Sequence, residues 1–170
     1  MKITSMEEYG LRCLVQIARA AVSERLVSAQ DIADSEGISL AYTQKILRVL
    51  HRGELVRSVR GASGGYELAR EVGAITLGDA IRVLGGALEL EHICERHTGE
   101  QAVCCHASAC SIRPVWGSLS TFVMRTFDAV PLTLLLGSEQ EVESTLMRML
   151  PAPLPLAEQA PQCPLAEVEV

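Results

Sequence analysis

The sequence has no long apolar run, and no stretch approaches the roughly 18 consecutive apolar residues of a membrane-spanning helix. Its first residues, MKITSMEEYG, lack the basic-then-apolar pattern of a secretory signal. We therefore expect a cytoplasmic protein without a membrane partner. In that reducing compartment, clustered cysteines favour metal or redox chemistry over structural disulfides.

Signatures of catalysis are also missing. The glycine-rich stretch at 61–65 is not followed by the lysine and helix of a nucleotide-phosphate loop. No Ser or Cys has a recognisable base-and-orienter setting, and there is no C-x-x-C pair or second cluster motif. We expect that the protein is not an enzyme, and a small redox protein that does not bind DNA is the remote alternative.

Positive charge is scarce overall but unevenly distributed. The net charge is −6, yet residues 1–70 carry a net +2 and residues 71–170 a net −8. Five basic residues and one acid lie between Lys45 and Arg60. Because the field at a contact surface is screened within about 10 Å at moderate salt, this local charge outweighs the total. The acidic balance does not argue against a nucleic-acid partner.

Cysteine is concentrated in one polar segment, residues 92–116. It contains Cys94, Cys104, Cys105 and Cys110, four of the six cysteines, together with three of the four histidines. Thiolates are soft ligands, and three or four of them within about 20 residues can converge on zinc or on iron–sulfur iron. The segment therefore predicts a metal-binding loop. Cys13, on an apolar helical stripe, is expected in the core.

The N-terminal region predicts a helix-turn-helix. Ser5 and Glu8 fit a capping box that opens a helix at about 6–22, and Ser28 with Asp31 opens a short helix to about Glu36. Ser39 then caps another helix after a three-residue turn. Its predicted inward positions are Leu40, Thr43, Ile46, Leu47 and Leu50.

The other face of this helix carries a basic stripe with small and amide residues near its N-terminus, a composition that suits the DNA major groove. A solvated amphipathic helix is the alternative for this helix taken alone. The candidate DNA-binding residues are Ser39, Ala41, Tyr42, Gln44, Lys45 and Arg48, with Arg52 continuing the stripe.

A β-hairpin is predicted next. Residues 55–60 alternate as a strand, a glycine-rich turn follows, and residues 66–68 return. A helix-turn-helix followed by a hairpin is a winged helix. Arg60 at its tip is predicted to enter a narrow minor groove, while Gly61 and Gly64 allow close approach to phosphate.

The remaining chain predicts helices and a tail. Thr76 and Asp79 cap a short helix, and Arg113–Pro114 opens a long one whose apolar surface exceeds the needs of one small domain, so we expect a homodimer. The predicted fold is mainly α with a small hairpin wing. Its parts are a winged helix-turn-helix domain at 1–86, a cysteine-rich cluster-binding loop at 87–113, a dimerisation helix with closing helices at 114–150, and a disordered proline-rich tail at 151–170.

Several stretches together resemble the IscR/NsrR family of dimeric winged-helix bacterial transcription regulators, many of which carry an iron–sulfur cluster. They are MKITSMEEYGLRCL, GISLAYTQKILRVL, VRGASGGYELAR, ITLGDAIRVLGG and the C-x5-W ending at Trp116. The resemblance covers about residues 1–140. Its most specific part is the wing from Arg60 to Tyr66 with the downstream cysteine loop.

The resemblance implies that Cys94, Cys104 and Cys110 bind the cluster. The histidine that follows the last cysteine by three residues in IscR is Arg113 here, and arginine has no lone pair to offer. Its loss favours a 4Fe–4S over a 2Fe–2S cluster. Candidate fourth ligands are Cys105, His106, His92, His97 or a carboxylate of the partner subunit.

The sequence therefore predicts a dimeric regulator of double-stranded DNA operators, controlled by a cluster that senses redox state, nitric oxide or iron–sulfur status. Gain or loss of the cluster would change the spacing of the two recognition helices. The alternative is a winged-helix repressor switched by zinc or by a thiol–disulfide pair.

Overall fold

The structure is a computed structural model that describes residues 3–61, 64–85, 97–106 and 109–149. It contains six α-helices and two β-strands among these residues, and the predicted mainly helical fold with a small hairpin is confirmed. The elements are α1 (Ser5–Val22), α2 (Ala29–Glu36), α3 (Leu40–Arg52), β1 (Val56–Val59), β2 (Gly65–Leu68), α4 (Leu77–Leu84), α5 (Arg113–Asp128) and α6 (Glu139–Met149).

Capping hydrogen bonds set where the short helices begin. The side chain of Ser28 accepts from the amide of Asp31, and the Asp31 carboxylate accepts from the Ser28 amide, so two amide donors at the start of α2 are satisfied. Thr76 and Asp79 form the same reciprocal pair at α4. Both predicted starts are confirmed.

The start of α1 differs from the prediction by one residue. The capping box is formed by Thr4 and Glu7, not by Ser5 and Glu8. The sequence contains both overlapping patterns, and the structure uses the first, with the Glu7 side chain buried. Glu8 instead forms an i,i+4 ion pair with Arg12 at 2.6 Å.

The core lies where α1, α2 and α3 meet the base of the hairpin. Cys13 is completely buried in it, as predicted. Thr43, Ile46, Leu47 and Leu50 supply the inward face of α3. The prediction was wrong for Leu40, which is 38% exposed. Leu40 is the first residue of α3. The helical periodicity predicted that its side chain would face the core, but at this end of the helix the side chain remains accessible to solvent.

The hairpin has three backbone-paired segments. In the antiparallel β1–β2 register, Val56 faces Leu68 and Ser58 faces Tyr66. Val27, just before α2, also pairs with Tyr66: the Tyr66 amide donates to the Val27 carbonyl at 2.8 Å, and the Val27 amide donates to the Tyr66 carbonyl at 3.3 Å. The wing is therefore fastened to the chain segment that enters the helix-turn-helix.

The long helix α5 begins with Pro114 in its first turn and returns the chain to the same core. After α5, the Leu132 amide donates to the Ile75 carbonyl at 2.8 Å, and the Leu77 amide donates to the Val130 carbonyl at 2.8 Å. Val130 and Leu132 are buried, and the 3-10 turn Leu132–Leu136 packs on α1. The segment after α5 thus belongs to the core of the winged helix.

Some predictions fall outside the described residues. These are Cys94 and His92 in the cysteine loop, residues 62–63 of the wing turn, and the tail at 151–170 with Cys163. Among the residues that are described, no helix is long and apolar enough to cross a membrane.

Candidate nucleic-acid interface and cysteine loop

The predicted DNA-reading face of α3 is exposed. Ala41, Gln44, Lys45 and Arg48 lie on the surface, opposite the buried stripe. At the helix N-terminus, the Ser39 hydroxyl oxygen accepts from the Tyr42 amide at 3.3 Å. This bond fixes the first turn while the hydroxyl hydrogen remains available as a donor. The structure therefore brings these predicted residues together on one accessible surface.

Tyr42 differs from the other candidates because its ring is half-buried. It packs edge-on against Tyr9 of α1, with ring centroids 6.1 Å apart and an interplanar angle of 83°. The guanidinium of Arg12 lies 5.5 Å from the Tyr9 ring centroid. Packing of this kind holds the N-terminal turn of α3 against α1. Tyr42 thus has a structural role besides the predicted one.

The wing presents Arg60 and Gly61 to solvent at its tip. Gly61 has φ +136°, a backbone conformation that residues with a side chain rarely adopt. The Gly64 amide donates to the Gly61 carbonyl at 3.0 Å, so this amide closes the turn. A Cβ on Gly64 would lie 2.4 Å from the Val59 carbonyl oxygen. These glycines are needed for the shape of the turn.

Between α3 and the wing lies a groove of about 300 Å³, and three of the residues that line it, His51, Ser58 and Tyr66, were not among the predicted DNA-binding residues. Ser58 and Tyr66 are cross-strand partners in the hairpin and face the last turn of α3. The period-2 alternation of the strands could have indicated that Ser58 and Tyr66 share a face with buried Val56 and Leu68. The lining residues are Leu47, Arg48, His51, Arg52, Ser58 and Tyr66.

The described part of the cysteine loop leads directly into α5. Cys104 and Cys110 are half-buried free thiols, whereas Cys105, His106 and His97 are exposed. The guanidinium of Arg113, the first residue of α5, donates to the carbonyl oxygen of His106 at 3.5 Å. Arg113, which replaces the expected histidine, therefore connects the loop to the helix rather than binding a metal.

The donor chemistry of this loop fits an iron–sulfur cluster, since thiolates are its usual protein ligands. Within the described residues, no three His, Cys, Asp or Glu side chains converge on a metal site. Cys104 and Cys110 provide two thiols, and Cys94, the third predicted ligand, lies outside the described residues.

One surface of α5 is apolar and exposed. Val115, Trp116, Leu119 and Phe122 are 59%, 37%, 46% and 50% exposed, and three of them follow i, i+4, i+7 spacing. A contiguous apolar stripe of this kind marks an interaction surface. We call these four residues the α5 stripe.

Comparisons with known proteins agree with this architecture. Residues 3–137 match the Rrf2 family, described as iron-dependent transcriptional regulators. The protein Rrf2 of Nitratidesulfovibrio vulgaris is 35% identical over 132 residues, which are 78% of this chain and 85% of that protein. CymR, the global cysteine regulator of B. subtilis, has a similar structure, with a TM-score of 0.63, 29% identity, and coverage of 80% of this chain and 96% of that one.

The structure of T. potens IscR is similar as well, with a TM-score of 0.63 and 27% identity over 90% of this chain and 94% of the other. The family indicated by the wing and by the helix-turn-helix is therefore confirmed. The chain belongs to the Rrf2 family and is a DNA-binding winged-helix transcription regulator, not an enzyme.

Proposed function

We propose that this regulator binds its operator as a homodimer and that an iron–sulfur cluster held by Cys94, Cys104 and Cys110 controls its affinity. The observation that carries the proposal is the position of Cys104 and Cys110, two half-buried thiols immediately before α5. The α5 stripe supports the dimer, because exposed apolar side chains on one helix face are stabilised by burial against a second copy. A 4Fe–4S cluster is favoured over 2Fe–2S because Arg113 stands where IscR has a ligand histidine.

The dimer would place two copies of α3 in successive major grooves, with Ser39, Ala41, Gln44, Lys45 and Arg48 facing the bases and phosphates. Half-sites on DNA are separated by about one helical turn, roughly 34–36 Å. The spacing of the two α3 helices therefore decides whether both can bind. In each subunit, Arg60 at the wing tip would enter the adjacent minor groove, where arginine is favoured if the groove is narrow.

A contiguous set of contacts leads from the cysteine loop to α3. Arg113 bonds the His106 carbonyl at one end of α5, and Asp128 at the other end pairs with Arg82 of α4. Next to Arg82, Val83 lies so close to Gly53 at the end of α3 that an added Cβ would meet its methyl groups at 2.4 Å. A displacement of the loop can thus reach the recognition helix through packed elements.

Cys94, Cys104 and Cys110 would hold the cluster, and its iron–thiolate bonds would supply a covalent constraint on the loop that precedes α5. A coupling of about 1–3 kcal/mol between loop and operator would change affinity roughly 5- to 150-fold. Residues of the chain connect the loop to the DNA-binding elements: Arg113 holds the loop to α5, and α4 holds α5 to the winged helix.

The test is anaerobic purification followed by iron and sulfide analysis, visible absorption and operator binding. Replacement of Cys94, Cys104 or Cys110 by alanine should in each case remove the visible absorption of the cluster. Circular dichroism should still show a folded protein, and sedimentation should still show a dimer. The matched control variants Cys13→Ala and Cys163→Ala should keep the absorption. Protein free of iron and sulfide, or loss of colour in a control variant, would refute the ligand assignment.

A regulator switched by its thiols is the second candidate, supported by the likeness to a cysteine regulator and by the free thiols of Cys104, Cys105 and Cys110. A thiol-switched regulator would be a colourless protein whose DNA affinity changes on oxidation. Mass spectrometry would then show a disulfide involving Cys110, and zinc analysis would separate the zinc-bound form of this alternative.

A further inference from the structure

The groove between α3 and the wing brings five side chains with hydrogen-bond donors together beside Leu47. Its wall on α3 carries Arg48, His51 and Arg52, and its wall on the hairpin carries the hydroxyl groups of Ser58 and Tyr66. Among the described residues, no acidic side chain lines it. All five polar groups are donors that can bind phosphate oxygens.

The pairing of the two groove arginines differs from that of Arg57 on the same hairpin. Within the described part of the chain, Arg48 and Arg52 make no ion pair, whereas Arg57 on the outer face of the same hairpin is bound by Glu67 at 2.9 Å. Both groove arginines are exposed. An unpaired guanidinium beside neutral hydroxyls leaves an uncompensated positive charge in a concave surface, which attracts anions.

The position of the groove identifies the anion. A helix in the major groove and a wing tip in the adjacent minor groove lie on either side of one sugar–phosphate strand, since that strand separates the two grooves. The space between α3 and the hairpin is where the strand must pass. We propose that this groove binds one phosphodiester of the DNA backbone through Arg48, His51, Arg52, Ser58 and Tyr66. This inference rests on the DNA-binding arrangement proposed above.

A contact of this kind has a defined effect. It fixes the register of α3 on the duplex without reading sequence, because the phosphate is the same at every step. Its free energy comes largely from counterion release, so it weakens as salt rises. Tyr66 is held by backbone pairing to both Ser58 and Val27, which places its ring at the groove before DNA arrives.

The first test compares Arg52→Gln with Arg19→Gln in the full-length protein. Both arginines are exposed in the last turn of a helix, so the effect on the helix dipole is matched. On a duplex selected by the wild type from a random-sequence pool and on a scrambled duplex, Arg52→Gln should weaken binding by the same factor. In Arg52→Gln, the slope of log affinity against log salt concentration should also become shallower by about 1 per subunit. Arg19→Gln should leave both the affinity and this slope unchanged.

The second test locates the phosphate. Single methylphosphonate linkages, which remove one charge each, are placed along the selected duplex. At one position per half-site, the methylphosphonate should weaken DNA binding by the wild type. The same linkage should not weaken binding by Arg52→Gln any further. His51→Lys, which adds a permanent charge in the groove, should tighten binding to the unmodified duplex.

Two results would overturn the site. The first is that the effects of Arg52→Gln and of the methylphosphonate on affinity are strictly additive at every position. The second is that Arg52→Gln loses affinity only for the selected sequence. Either would show that Arg52 does not bind a backbone phosphate. If the wild type bound neither duplex, the DNA-binding arrangement would fail as well, and this outcome is distinguishable because it appears without any substitution.

Discussion

The guanidinium of Arg82 lies 2.6 Å from the carboxylate of Asp128, although 46 residues separate them in the chain. The pair joins the last turn of α4 to the end of α5 and thus the winged helix to the helix that carries the α5 stripe. Its hydrogen bond raises the pKa of the Arg82 guanidinium. Nearby, a Cβ on Gly78 would lie 3.1 Å from the Asp128 amide nitrogen, so the backbones also meet closely.

A double-mutant cycle of Arg82→Gln and Asp128→Asn should give a coupling energy of about 0.2–1 kcal/mol in urea unfolding, the range for exposed ion pairs. The cycle of Arg57→Gln and Glu67→Gln, a cross-strand pair at 2.9 Å, is the matched control. Only the Arg82→Gln and Asp128→Asn variants, and not the control variants, should reduce the proposed effect of the cluster on DNA affinity. An equal reduction of that effect in both cycles would exclude a special role for Arg82 and Asp128.

Charge placed on the α5 stripe should dissociate the proposed dimer. Leu119→Asp puts a carboxylate where the dimer would bury an apolar side chain, and burial of an unpaired charge is strongly unfavourable. Sedimentation equilibrium should show monomers, and operator binding should be lost. Thr121→Asp, on the opposite exposed side of α5, is the control and should remain dimeric. Dimers of unchanged stability with Leu119→Asp would place the interface elsewhere.

The wing should not tolerate a side chain at Gly65. A Cβ there would lie 2.7 Å from the Val27 carbonyl oxygen, so the backbone pairing of Val27 with Tyr66 must shift. Gly65→Ala should lower the free energy of unfolding by about 1–3 kcal/mol, as overpacking does, and weaken DNA binding. Gly73→Ala, whose Cβ would be 3.9 Å from the nearest atom, should be neutral or slightly stabilising. Chemical denaturation compares the two variants.

The thiol of Cys13 should be chemically inert in the folded protein. Burial raises its pKa from the ordinary 9.0 to about 12, because the thiolate is poorly solvated in the core. Iodoacetamide at pH 8, followed by peptide mass spectrometry of iron-free protein, should label exposed Cys105 and spare Cys13.

The same shift has a consequence for stability. A thiol whose pKa is raised by folding contributes stability that is fully present below pH 9 and is lost as the pH rises towards 12. Cys13→Ala should therefore flatten the alkaline decline in stability between these values. An unchanged alkaline profile would show that other groups cause the decline.

Arg60→Ala tests the wing tip separately from the groove. Since a narrow minor groove concentrates negative potential, the loss of affinity should be largest when the flanking sequence is A·T-rich. Fluorescence anisotropy on duplexes that differ only in that flank measures it. An equal loss on all of them would indicate a phosphate contact, as proposed for Arg52, and not readout of groove width.

Features decided by a few neighbouring residues were predicted from the sequence. The capping pairs at Ser28 and Thr76, the buried face of α3 and the start of α5 at Arg113–Pro114 depend on local features. These are hydrogen bonds and periodicities that span one or two turns. The one-residue error at α1 arose where two capping patterns overlap. Local chemistry allows both, and only the packing of Glu7 distinguishes them.

Other features were decided only by the tertiary structure. Nothing near Ser58 or Tyr66 indicates that the two will face His51 and Arg52, and nothing near Asp128 indicates Arg82. The return of Val130 and Leu132 into the core of the winged helix is equally invisible in the sequence pattern. Such contacts join distant segments and follow from how the whole chain buries its apolar surface. The sequence therefore determined the elements and the family, whereas the phosphate groove and the connection between α4 and α5 arise from the way those elements pack.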